Sequence, residues 1–109
     1  QMCIRDRTMD IADHPNAVIC WNCNPTDLNG EGLKHNFNLV KKHFGETVHI
    51  HDLRNNKYPW KEFFGLLNGI SFSDWALIEE GQVPGDVVAA MHENRKVFDK
   101  LVAETAKAE

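Results

Sequence analysis

Two histidines alternate with aliphatic residues in Thr47-Val48-His49-Ile50-His51-Asp52, and Leu53-Arg54-Asn55 follow directly. A strand sends successive side chains to opposite faces, so Val48 and Ile50 share one face and His49 and His51 the other. Imidazoles, a carboxylate, a guanidinium and amides at the end of a strand suit metal ligation, proton transfer or the holding of a hydroxylated substrate. Two other short runs end in the same way. Ala17-Val18-Ile19-Cys20-Trp21 leads to Asn22, and Trp75-Ala76-Leu77-Ile78 leads to Glu79 and Glu80. Counting by twos, Val18, Cys20 and Asn22 fall on one face, and Trp75, Leu77 and Glu79 do likewise. One amide oxygen (Asn22), one imidazole (His49) and one carboxylate (Glu79), each closing its own strand, would suit a divalent ion such as Mn²⁺, Mg²⁺, Co²⁺ or Zn²⁺.

Taken singly, these residues have plainer readings. Two histidines on one strand face are more often hydrogen-bonded structural groups than ligands. Glu80 reads as a solvated loop carboxylate, Asp52 as a group that orients a neighbouring histidine, and Arg54-Asn55-Asn56 as a polar turn. Cys20-Trp21-Asn22-Cys23 is a C-x-x-C motif, which raises redox chemistry or a zinc site of Cys20, Cys23, His49 and His51. The motif runs into Asn24-Pro25-Thr26-Asp27 and a glycine-containing loop, not into the helix start that a redox pair needs, and no second C-x-x-C exists. The plain reading of the pair is a small buried hydrophobe and a loop thiol.

The segments between the runs must position them. From about Glu31 to Phe44, Leu33, Phe37, Val40 and Phe44 recur at helical spacing, and Gly45 is placed to end that helix. Tyr58-Pro59-Trp60 opens a second helix with proline in its first turn. Trp60, Phe63, Phe64 and Leu67 form its apolar face and Gly69 closes it. Asp86 is an N-cap for a third helix with Val87, Met91, Phe98 and Val102 on one face. The order is strand, helix, strand, helix, strand, helix, with Asn22, His49 and Glu79 about 30 residues apart. This is an α/β chain of parallel strands joined by crossover helices. Three units at that spacing fit part of a TIM barrel or part of a doubly wound sheet, and in both the ligand lies at the C-terminal strand ends.

Composition bounds the rest. The 109 residues carry a net charge of −4, with 42% hydrophobic and 26% charged residues, which fits one ordinary globular domain or part of one. The acidic balance argues against a nucleic-acid partner, and no apolar run approaches the ~18 residues of a membrane span. An odd count of three cysteines gives no disulfide framework, so a reducing cytoplasm is expected. Residues 1–7, Gln1 to Arg7, resemble the translation of a transposase mosaic-end adapter (CAG ATG TGT ATA AGA GAC AG). They are read as a scar, with the domain proper at 8–109, and this makes the chain a C-terminal fragment. The polar tail Thr105 to Glu109 reads as a natural C-terminus.

Pro-Asn-Ala-Val-Ile-Cys-Trp-Asn, Val-His-Ile-His-Asp-Leu, Tyr-Pro-Trp-Lys-Glu-Phe-Phe and Ala-Leu-Ile-Glu-Glu, in this order across about residues 13–104, resemble the closing units of the xylose isomerase-like TIM barrels. That family contains the sugar phosphate isomerases and epimerases. The resemblance implies the C-terminal three βα units of a (β/α)8 barrel and one divalent metal held by a Glu, an Asp, a His and a Glu. His49 falls on the family His and Glu79 on the last Glu. Asn22 stands where the family has Asp, which removes a charge from the metal site. The first Glu would lie upstream of Thr8, and Pro25 replaces a His that often follows the family Asp. The implied reaction removes a proton beside a carbonyl and returns it elsewhere through a metal-stabilised enediolate. Glu79 would be one acid/base, and His51, Arg54 and Trp21 would contact a small sugar or sugar-phosphate substrate.

Without the other base the chain alone is expected to be inactive, and without the missing N-terminal part of the barrel its sheet edges are expected to drive self-association or marginal stability. The rival expectation is a non-catalytic sugar-binding or structural relative of the same fold. An apurinic-site endonuclease relative fits less well, because it would need a trinuclear zinc cluster and a DNA-compatible surface.

Overall fold

The computed structural model describes residues 2–106. Its elements are α1 (Met2–Ala12), β1 (Ile19–Asn22), α2 (Leu33–Val40), β2 (Phe44–Ile50), α3 (Trp60–Gly69), β3 (Trp75–Ile78) and α4 (Val87–Ala106). The strands form one parallel sheet in sequence order, with Asn22 opposite His49, His49 opposite Leu77 and Ile50 opposite Ile78. It is an open mixed α/β fold, and the sheet does not close.

Alternation decides which face is covered. Trp21, Val48 and Ile50 are almost fully buried, while Cys20, Trp75 and Leu77 are exposed. The helix-facing core is aromatic. Trp21 lies 5.5 Å from Phe37, 5.9 Å from Phe44 and 6.0 Å from Phe63 between ring centroids. Burying each such ring is worth about 2 kcal/mol or more. Leu33, Phe37 and Val40 of α2 and Trp60, Phe63, Phe64 and Leu67 of α3 are all buried, as their spacing predicts.

Four expectations are corrected. Gly45 does not end a helix: α2 stops at Val40, a short 3₁₀ turn follows over Lys41–His43, and Gly45 lies in β2. A Cβ on Gly45 would meet Val18 Cγ2 at 2.7 Å and the Ile19 carbonyl oxygen at 3.1 Å, so close strand approach explains the residue. Backbone freedom matters instead at Gly30 and Gly32, at φ 66° and 95°, the second of which caps α2.

In α4 the buried stripe is Ala90, Asn94, Leu101 and Thr105. Val87, Met91 and Val102 of the expected face are exposed, and Phe98 is partly buried. The Asp86 cap holds, with Ala89 N–H donating to its Oδ1 at 3.0 Å. A helix also forms where none was expected: α1 takes in Met2 to Arg7, and Met2 is buried. The tail reading is shortened, because α4 runs through Thr105 and Ala106; Gln1 and Lys107 to Glu109 lie outside the described residues.

Candidate functional site

The sheet register brings three expected ligands together. Asn22 pairs with His49 across β1 and β2, and Glu79 follows β3 with its N–H donating to the Ile50 carbonyl at 2.8 Å. His49 Nδ1 lies 2.8 Å from Glu79 Oε2, and Asn22 Nδ2 donates to the same oxygen at 3.3 Å. All three sit at the C-terminal strand ends on the face opposite the core. The hydrogen bond with His49 holds the Glu79 carboxyl below the usual glutamate range, with Asn22 adding to it. Glu79 is therefore an anion at neutral pH.

His51 joins the three strand ends from the same side. Its Nδ1 is 2.6 Å from the Glu79 carbonyl oxygen and its Nε2 is 2.6 Å from that of Cys23. Carbonyls only accept, so the ring donates to one of them through whichever nitrogen carries its hydrogen and lies against the other. In this arrangement His51 ties the strand ends together.

Arg54 and Trp21 are placed otherwise. Arg54 folds back on Asp52, its Nε donating to Oδ1 at 2.8 Å and to Oδ2 at 3.1 Å. That guanidinium holds the Asp52 carboxyl down at about 2. Trp21 is 2% exposed on the helix side, and its indole N–H donates to the Tyr58 hydroxyl at 3.3 Å. The expected substrate contact at Trp21 is thus corrected to a core role. The same alternation that turns Asn22 toward the open face turns Trp21 away from it.

A fit test for a divalent ion rests on Asn22. Its Oδ1 is buried and has no hydrogen-bond partner. Turning the amide end over its own axis would exchange Oδ1 for Nδ2 at the Glu79 side without changing shape. Adjacent ligands on an octahedral ion at ~2.1 Å stand about 3.0 Å apart, close to the 2.8 and 3.3 Å separations found here. An imidazole, a carboxylate and an amide oxygen form a donor set that fits a hard or borderline divalent ion.

A second group of donors lies at the opposite end of β2. Asp6, Asp10 and His43 bring ligand atoms within 4.8 Å of one another. Lys42 stands 3.5 Å from Asp6 and 3.3 Å from Asp10, and His43 is 3.1 Å from Asp10. Lys42 therefore already pairs with both acids.

Two residues around the site carry no signal in a chemistry-first reading. Asn94, buried on α4, accepts the Leu53 N–H at 2.7 Å and donates to Asp52 at 3.2 Å, so it fixes the turn after β2. Its place on the Ala90–Asn94–Leu101 stripe is the signal that could have found it. Asp27, 1% exposed, accepts from Asn24 N–H at 2.8 Å and from the Tyr58 hydroxyl at 2.9 Å. Burial pushes its carboxyl above the usual range.

Cys23 is fully buried, and burial pushes its thiol up to about 12, the opposite of what redox chemistry or zinc ligation needs. Cys20 is exposed and free.

No family model, curated protein or solved structure matches this chain. Among the described residues no helix is long and apolar enough to cross a membrane.

Proposed function

We propose that the chain forms three βα units of a xylose isomerase-like (β/α)8 barrel belonging to a divalent-metal-dependent sugar or sugar-phosphate isomerase or epimerase. The observation that carries this reading is the meeting of Asn22, His49 and Glu79 at the C-terminal ends of three parallel strands, on the face the helices leave open. In a closed barrel that face is the interior and that end is the catalytic one.

His49, Glu79 and the Asn22 oxygen would hold the ion, and when bound it supplies positive charge for the oxygens of an enediolate. Glu79, kept ionised by His49, takes a proton from the carbon beside the substrate carbonyl and can return one. His51 keeps the strand ends that carry this group in register. The second acid/base comes from strands outside these three, so the chain by itself does not turn over.

A non-catalytic sugar-binding relative is favoured by one observation: Asn22 is neutral and faces Glu79 with its amide donor.

Manganese titration of the ¹⁵N-labelled chain tests the metal reading. Broadening centred on Asn22, His49 and Glu79 is expected, with His49→Ala and Glu79→Gln weakening binding at least tenfold. Asn22→Asp, which restores the family's charge, tightens it. Broadening confined to Asp6, Asp10 and His43, or binding untouched by His49→Ala, refutes the reading.

A further inference from the structure

The tripeptide Leu-Asn-Gly occurs twice in the chain, as Leu28-Asn29-Gly30 and as Leu67-Asn68-Gly69. An asparagine followed by glycine is open to attack by the next residue's own backbone nitrogen, because no Cβ obstructs the approach and the glycine backbone turns freely. Identical neighbours give the two asparagines the same intrinsic reactivity. Only the fold separates them.

Asn29 and Gly30 are both exposed, in the loop that joins β1 to α2. Asn29 is extended at φ −73° and ψ 163°, and Gly30 follows at φ 66° with open space where a Cβ would stand. Among the described residues, neither the Gly30 N–H nor the Asn29 side-chain amide is in a hydrogen bond. The Asn29 carbonyl is held at the surface, by the Gly32 N–H at a long 3.3 Å and by Asn36 Nδ2 at 3.0 Å.

Asn68 is placed otherwise. It lies inside α3, and Gly69 is the last residue of that helix. A helical N–H is bonded to the carbonyl four residues back, so the Gly69 nitrogen is tied into the helix. Just beyond, Ser71 N–H donates to the Asn68 carbonyl at 2.9 Å and Phe72 N–H to the Leu67 carbonyl at 3.0 Å. Freeing the Gly69 nitrogen requires this helix end to open first.

We propose that Asn29 is a site of spontaneous deamidation, with water as the co-reactant, and that α3 protects Asn68 from the same reaction. The Gly30 nitrogen gives up its proton to base and attacks Asn29 Cγ. The N–Cγ bond forms, the Cγ–Nδ2 bond breaks, and the side-chain nitrogen leaves as ammonia with that proton, closing a five-membered imide. Water then opens the ring. Opening at Cγ gives aspartate; opening at the main-chain carbonyl carbon gives isoaspartate, in which the chain runs through Cβ and Cγ. Nothing is oxidised or reduced. Either product places a new negative charge in the loop after Asn22, and isoaspartate also lengthens the main chain by one carbon between the Asp27 turn and the Gly32 cap of α2.

Incubation of the folded chain at neutral and at mildly alkaline pH, followed by digestion and tandem mass spectrometry, tests it. The Asn29 peptide is expected to gain the mass of OH exchanged for NH₂, to elute as two products, and to convert faster at the alkaline pH. It should run at least about tenfold ahead of the Asn68 peptide, which reacts only from chains whose helix end has opened. In urea that unfolds the chain, the two peptides should convert at similar rates. Asn29→Gln, whose longer side chain would have to close a larger ring, removes the first conversion and leaves the second unchanged.

Equal conversion of Asn29 and Asn68 in the folded chain would overturn the proposal. An Asn29 peptide that stays unchanged in the folded chain while both peptides convert in urea would overturn it as well.

Discussion

Tyr58→Phe deletes one oxygen from the interior and leaves two polar groups without it. That oxygen donates to Asp27 Oδ2 at 2.9 Å and accepts the Trp21 indole N–H at 3.3 Å. All three residues are at most 7% exposed, so water does not replace the lost partner. A hydrogen bond to a charged acceptor contributes about 1.5–3 kcal/mol, and an orphaned buried N–H at the weak end of the distance range costs about 1 kcal/mol. The substitution should therefore destabilise the fold by about 3 kcal/mol. That is a large part of the ~5–15 kcal/mol expected of a domain this size. Urea unfolding followed by tryptophan fluorescence would measure it, and the melting temperature should fall by about 12 °C or more.

The deficit should also depend on pH in a fixed direction. Burial raises the Asp27 carboxyl, and the Tyr58 hydroxyl, which favours the anion, holds it back. Removing the hydroxyl raises the carboxyl further. An acid raised in the folded state loses stability as pH climbs through its folded value. The variant should thus be closest to the parent near pH 4 and fall behind toward pH 8. In an Asp27→Asn background, where no anion can form, the same substitution should cost about 1 kcal/mol. A deficit below about 1 kcal/mol in the parent background, or one equal at both pH values, would refute the account of this network.

Two further outcomes follow from packing and accessibility. Gly45→Ala puts a methyl 2.7 Å from Val18 Cγ2 and 3.1 Å from a backbone oxygen, so β1 must move. A loss of about 1–3 kcal/mol is expected in the same urea assay; a variant as stable as the parent would mean that β1 and β2 are not this close. The thiols should separate under a colorimetric thiol reagent at neutral pH. Exposed Cys3 and Cys20 should react at once, and Cys23 only on unfolding; three fast thiols in the folded chain would contradict the buried position of Cys23.

What the sequence discloses and what it conceals follow from the range over which each signal acts. Alternation is a local rule, and it separates His49 from Val48 and Asn22 from Trp21 without any knowledge of the partner strands. Helical spacing likewise reveals Phe37, Val40, Phe63 and Leu67. The errors arise where two rules compete over the same residues. Phe44 continues the spacing of α2 and also begins β2, and only the closeness of Val18 to Gly45 decides between them.

On α4 the larger apolar residues, Val87, Met91 and Val102, outweigh Ala90 and Asn94 in a hydrophobic pattern. The buried stripe is nevertheless set by what α4 meets, including the Leu53 N–H that Asn94 accepts. The helix Met2–Ala12 lacks a strong apolar stripe, so periodicity does not announce it. At the site, residue types marked Asn22, His49 and Glu79. Arg54 was drawn off by an acid two positions away, and the plain reading of Asp52 as an orienting group did not extend to its hold on Arg54.

The strand order β1-β2-β3 has a consequence for the route by which the chain reaches its native state. Each strand pairs with the one that comes next in the sequence, so every crossover closes a loop of about 30 residues. Loop closure at that length is entropically modest, and the cost rises only slowly with length. A chain emerging from the ribosome can dock β2 on β1 with α2 as the bridge before β3 exists. It can then add β3 over α3 without undoing anything already paired. Parallel sheets are usually slow to fold because their partners are distant; here the ordering keeps each new strand's exposure short, and the edge of β2 waits for only one more unit.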